Sequence, residues 1–199
     1  MRCDHGGNMK DGGIGTRDTE VLVKDWPASC TAFYTHWLAQ RDGELMPTAA
    51  RSLDDMLARL APHIYIIDVT ENESLVRFQG TALVAGWGVD ITGKDVCVFR
   101  SKKLRQSVLT LMKGITRQPC GYYCRSVYTS ATGRNVVAYI IRLPLSVKPG
   151  RPPRVINYKH ESETLEPGDT SWVNYKTTHQ DWIDIGAGTP TLPPVELVE

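Results

Sequence analysis

Apolar positions along this chain follow helical spacing first and strand spacing later. Near residues 26–41, Trp26, Cys30, Phe33, Tyr34, Trp37 and Leu38 fall on one face of a helix. Asp25 is placed to cap that helix, Pro27 is tolerated in its first turn, and Asp42-Gly43 ends it. A second helix is expected over 52–61. Ser52 would cap it with Asp55 as capping-box partner, Leu53, Met56, Leu57 and Leu60 would form its buried stripe, and Pro62 stops it. His63 to Val69 is β-branched and aromatic and reads as a strand, Thr70 to Glu73 as a turn, and Leu75 to Gln79 as the returning strand. Gly80, Gly86, Gly88 and Gly93 divide the stretch to Asp95 into short helical turns and loops.

The second half repeats this logic. Ser101 to Thr116 keeps Leu104, Val108, Leu111, Met112 and Ile115 on one helical face and Lys102, Lys103, Arg105 and Lys113 on the other. Tyr122–Thr129, Asn135–Leu145 and Arg154–Lys159 read as three strands, joined by turns at 131–134 and 148–153. Residues 1–20 read as a Gly-rich flexible arm, 21–160 as the folded domain, and 161–199 as a C-terminal extension with a short helix near His179–Ile185. Hairpins dominate the order, which predicts an α+β fold whose sheet is antiparallel, with helices on one face. In the long strand, Asn135, Val137, Tyr139, Ile141 and Leu143 share the more apolar face. That face is expected to meet the helices, with Tyr139 at its centre.

Composition narrows the function classes. Over 199 residues the chain is 41% hydrophobic and 23% charged, with a formal net charge of +1. No bulk charge draws it to nucleic acid or anionic lipid, and no apolar run reaches the roughly 20 residues needed for membrane insertion. Met1 to Thr16 lacks the apolar core of a secretory signal, so a cytoplasmic location is expected. The five cysteines have irregular spacing and do not form a disulfide framework. Cys120 and Cys124 are four apart, which on a strand spans roughly 13 Å, too far for one metal ion. The chain has no Gly-x-Ser-x-Gly and no phosphate-loop ending. His5, His36, His63, His160 and His179 are scattered, and Asp54 and Asp55 read as helix N-terminal charges. Arg77 reads either as an anion-binding residue or as a salt-bridge partner of Asp68 on the paired strand.

Trp37, Arg41, Gly43, Met46-Pro47, Pro62, Asp68, Arg77, Gly80-Thr81, Gly88, Asp90, Thr92-Gly93 and Leu143-Pro144-Leu145 occur in an order that resembles a bacterial PAS-like domain family over about residues 30–158. The chain departs from that family at Thr48-Ala49-Ala50-Arg51 and at Phe78-Gln79. The resemblance implies a PAS-like fold: a five-stranded antiparallel sheet with helices on one face, here with an added N-terminal helical segment. It also implies a ligand pocket between the sheet and the helices at 82–116. Candidate pocket residues are Arg77, Thr81, Trp87, Met112, Tyr122, Tyr123 and Tyr139. No cofactor is identified and an unknown small-molecule ligand is expected. The helix at 101–116 has no axial His for haem, and the Asn-Cys-Arg-Phe-like motif of flavin photoreceptors with this fold is absent. Trp26, Phe33, Tyr34 and Trp37 read equally as core against the chain's own sheet or as an interface with a second copy or a partner.

The expected function is a stand-alone sensory or regulatory protein, not an enzyme. It would bind a small molecule and signal to a protein partner, with a homodimer as one form. A ligand-free interaction adaptor is the alternative, closed by Tyr139, Trp87 and Met112. A small acid–base enzyme comes third, since it needs a buried titratable group that the sequence does not place.

Overall fold

A computed structural model describes residues 26–54, 58–129, 135–163, 175–191, 194 and 197–198. The arm at 1–20, the Asp25 cap and the Asp55, Met56 and Leu57 positions lie outside the described residues. The elements are α1 (Ala28–Ala39), α2 (Ala49–Asp54), a 3-10 turn (Ala61–His63), β1 (Ile64–Val69), β2 (Ser74–Gln79), α3 (Thr81–Trp87), α4 (Lys102–Arg117), β3 (Gly121–Thr129), β4 (Asn135–Leu145), β5 (Arg154–Glu163) and β6 (Lys176–Ile183). Ser101 caps α4 by accepting from the Leu104 N–H at 3.2 Å. Among the described residues, no helix is long and apolar enough to cross a membrane.

The strands form one antiparallel sheet in the order β2-β1-β5-β4-β3-β6. Five of these strands were expected. The sixth replaces the helix expected near His179–Ile185: residues 176–183 pair along β3, with Tyr122 opposite Trp182 and Cys124 opposite Gln180. An edge strand has one free side, so polar side chains at Lys176, His179 and Gln180 are tolerated and mask the strand pattern. The second helix also begins earlier than its sequence pattern suggests. It starts at Ala49, leaving Ser52 fully buried inside it, and Pro62 falls within the 3-10 turn.

Both faces of the sheet are covered. On one face, Trp26, just before α1, and Cys30, Phe33, Tyr34 and Trp37 of α1 lie over Ile64, Ile141, Leu143, Ile156 and Tyr158. Trp26 stacks on Tyr123 with centroids 4.8 Å apart, and Phe33 stacks on Tyr158 at 5.2 Å. On the other face, α4 buries Leu104, Val108, Leu109, Leu111, Met112 and Ile115. Each is worth about 1.5–3 kcal/mol of apolar burial.

This two-sided cover reverses one expectation. The Tyr139, Ile141 and Leu143 face of β4 meets α1, while Val136, Ala138 and Ile140 meet the α3–α4 side. The aromatic stripe of α1 takes the more apolar face. The face left for α3 and α4 is the one that carries Arg142. The four residues Trp26, Phe33, Tyr34 and Trp37 are therefore buried inside the chain.

Two contacts fix the chain around β1 and β2. Asp68 is buried between an Arg77 Nε at 2.7 Å and an Arg154 Nε at 2.6 Å, one from each flanking strand. Gly80 donates its N–H to the Ile64 carbonyl at 2.7 Å, and any Cβ there would collide with the Pro62 and Ala61 carbonyls. The glycine is thus required for close approach rather than for a left-handed turn.

Gly80→Ala is expected to cost about 1–3 kcal/mol through this collision. Urea unfolding reads it, and an unchanged midpoint would show that the Pro62 turn opens freely. Burial alone would raise the Asp68 pKa, but the hydrogen bonds from Arg154 and Arg77 outweigh it and hold the carboxyl below its ordinary value. Its stabilisation is therefore complete above about pH 4 and lost as the pH falls through the depressed native value. Asp68→Asn should flatten the acid limb of stability against pH, and an unchanged limb would show that other carboxylates set it.

Candidate functional site

A cavity of about 560 Å³ lies between the sheet and the α3–α4 segment. Its floor is Tyr65 of β1, Lys159 of β5, Ile140 and Arg142 of β4 and Tyr128 of β3; Gly86 and Trp87 of α3 and Leu104 and Val108 of α4 form walls. The remaining wall is irregular backbone between α3 and α4, including Val89, Ile91, Val96, Cys97 and Phe99. Two polar side chains lock that segment to the sheet. Gln79 accepts from the Ile91 N–H at 2.9 Å and donates to the Val89 carbonyl at 3.3 Å. Buried Asp95 accepts from the Ser74 N–H at 2.9 Å and the Cys97 N–H at 2.8 Å. The glycine-rich stretch is therefore an anchored wall.

The floor carries two buried cations. Arg142 is 4% exposed, and its Nη1 donates to the Tyr65 hydroxyl at 2.8 Å and to Asn157 Oδ1 at 2.9 Å. Its Nε is buried with no hydrogen-bond partner among the described residues. Lys159 is 7% exposed and donates to the Tyr128 hydroxyl at 2.9 Å and to Glu161 at 2.5 Å, while Tyr128 donates to Glu161 at 2.6 Å. The Lys159 ammonium also sits 4.6 Å from the Tyr128 ring centroid and 5.3 Å from that of Trp87. Burial pulls the Lys159 pKa down against the pull of Glu161. Burial would raise Glu161, but Lys159 and the Tyr128 hydroxyl hold it below its ordinary value. Cys97 faces the cavity, and burial pushes its thiol up to about 12, so it is a neutral thiol near pH 7.

Of the residues expected to line a pocket, Trp87 does so. Arg77 is engaged with Asp68 as a salt-bridge partner, and Thr81 is an exposed residue at the start of α3. Met112 is buried in the core behind the cavity. Tyr122 is buried beside it and donates to Gln180 at 2.9 Å. Tyr123 and Tyr139 lie on the α1 face, the side opposite the cavity, Tyr139 because of the reversed facing of β4. The residues that sequence reasoning missed are Tyr65, Tyr128, Arg142, Lys159 and Tyr175. A signal for two of them was present: Arg142 is the one charge within Val136–Leu145, and Lys159 follows the apolar run of β5. A charge inside a strand buried on both faces must serve a buried partner.

Cys120 and Cys124 are both buried, and burial raises the pKa of each thiol, to about 12 for Cys120. Among the described residues, no three of His, Cys, Asp and Glu converge as a metal site.

An antiparallel sheet in the order β2-β1-β5-β4-β3, with α3 and α4 inserted between β2 and β3 and packed on one face over a cavity, defines the PAS class of domain. The family model described as a PAS domain matches residues 26–158, and the chain belongs to that family. No curated protein matches the sequence. The chain is similar to the light-state dimer of the fungal blue-light photoreceptor Vivid, at 14% identity over 69% of this chain and 98% of that one, with a TM-score of 0.43. It is also similar to the photo-excited form of Vivid, at 15% identity over 64% of this chain and 93% of that one, with a TM-score of 0.43. A third similarity is to VqmA of Vibrio cholera in a ligand–DNA complex, at 11% identity over 49% of this chain and 45% of that one, with a TM-score of 0.41.

The two polar groups of the floor should respond differently to losing a hydroxyl. Tyr65→Phe removes one of the two acceptors of a buried guanidinium and should cost about 2–3 kcal/mol. Tyr128→Phe leaves the Lys159–Glu161 contact in place and should cost about 1 kcal/mol. Urea unfolding of the two variants measures the contrast, and equal losses would mean that Arg142 finds a replacement acceptor.

Proposed function

We propose that this protein is a sensory or regulatory PAS protein. A small amphipathic molecule occupies the cavity between the sheet and α3–α4, and its presence is passed to a protein partner. The cavity carries this reading. It has the volume of a small-molecule site, its walls are largely apolar and aromatic, and a few polar groups converge on its floor. The arrangement suits binding rather than turnover, because Lys159, Tyr128 and Glu161 are engaged with one another and Cys97 is a neutral thiol.

Phe99 gives the cavity a route outward. It lines the cavity and is 70% exposed, so an occupant touches a side chain that also forms the outer surface. A partner protein or a second copy would read the cavity there, since the aromatic stripe of α1 is already buried against the sheet. Neither haem nor flavin is part of this reading.

Native mass spectrometry of freshly purified protein, followed by denaturing extraction, tests it. The expected result is a mass excess of one small molecule that disappears on unfolding, or thermal stabilisation by a member of a metabolite panel. A clean chain mass with no stabilisation by any member would overturn the reading in favour of a ligand-free adaptor.

A further inference from the structure

Granted the ligand-binding role of the cavity, on which this rests, we propose that its ligand is an organic anion. The molecule is an aromatic or aliphatic acid whose carboxylate or equivalent acidic group is held between Arg142 and Lys159. Three cations line the cavity, Arg100, Arg142 and Lys159, and among the described residues no Asp or Glu lines it. Two of the three are more than nine-tenths buried.

The two are partnered differently. Lys159 has Glu161, whose side chain is 31% exposed and shared with Tyr128. Arg142 contacts only neutral acceptors among the described residues, Tyr65 and Asn157, and uses Nη1 for both. A buried guanidinium with neutral acceptors and an orphaned Nε retains a large desolvation cost. A planar carboxylate is the group that a guanidinium fork fits best. Ile140 faces Lys159 across the β4–β5 ladder and Arg142 faces Asn157, so the two cations occupy diagonal positions on one face. Such positions are roughly 7–8 Å apart, a span that one acidic group can bridge. The remainder of the ligand would lie against Trp87, Ile140, Leu104 and Val108. Each cation also lowers the cost of ionising an acid there, while the two repel each other when the cavity lacks one.

Isothermal titration of the full chain with naphthaleneacetate and with its neutral amide, naphthaleneacetamide, tests charge separately from shape. The acid should bind about tenfold or more tightly than the amide, as a charge-assisted pair requires. Arg142→Met and Lys159→Gln, each checked for native circular dichroism, should bring the acid down to the affinity of the amide and leave the amide unchanged. Should Arg142→Met fail to fold, Lys159→Gln carries the same comparison. Equal affinities of acid and amide for the unaltered protein would overturn the anionic ligand and leave the sensor reading intact. Binding of neither compound at millimolar concentration would count against both.

Discussion

The structure depends on one constraint: the central sheet is buried on both faces. α1 covers one face with aromatic rings and α4 covers the other with aliphatic side chains. Every residue of β1 is buried as a result, and β4 is buried along most of its length. Once both faces are dry, alternation no longer separates inside from outside, and any polar side chain on the sheet must find its partner within the fold. Asp68 meets this demand with two arginines from the neighbouring strands. The polar side chains facing α4 meet it only in part, and the shortfall is concentrated at the cavity floor.

That shortfall falls unequally on the two cations of the floor. Lys159, Tyr128 and Glu161 close a triangle in which the hydroxyl accepts from the ammonium and donates to the carboxylate. The guanidinium of Arg142 has no anion of its own among the described residues, although methionine or leucine would fill such a position without a desolvation cost. A fold assembled for stability alone places its local choices in agreement, and Arg142 is the position on the floor where they disagree.

Much of the architecture was legible in the sequence because its elements are short-range patterns. Ser101 and the Leu104-to-Ile115 spacing specify α4, Pro62 and the apolar run to Val69 specify β1, and the limits of β4 coincide with Asn135 and Leu145. β6 was not legible, because an edge strand needs only one dry side and its residues Lys176, His179 and Gln180 read as loop or helix. The site was less legible than the fold. Trp87 follows from its place in the helical segment over which the family resemblance puts a pocket, but the expectation that the more apolar face of β4 meets the helices points to Tyr139 instead of Arg142. Which face α1 would claim depends on contacts between residues more than a hundred positions apart, such as Phe33 with Tyr158, and no local pattern encodes it.

The same two-sided packing makes the two sides of the cavity unlike. The sheet beneath it is packed against α1 on its far face. The wall between α3 and α4 is irregular and is tied to β2 by the Gln79 and Asp95 side chains and by backbone bonds of Gly93, Lys94 and Val96 to Val76 and Ser74. Between and beyond those anchors lie Trp87, Val96 and Phe99, which reach from the cavity to the outside. Under the reading proposed above, an occupant would press on that wall rather than on the floor, and Phe99, as its most exposed aromatic residue, would carry the change outward.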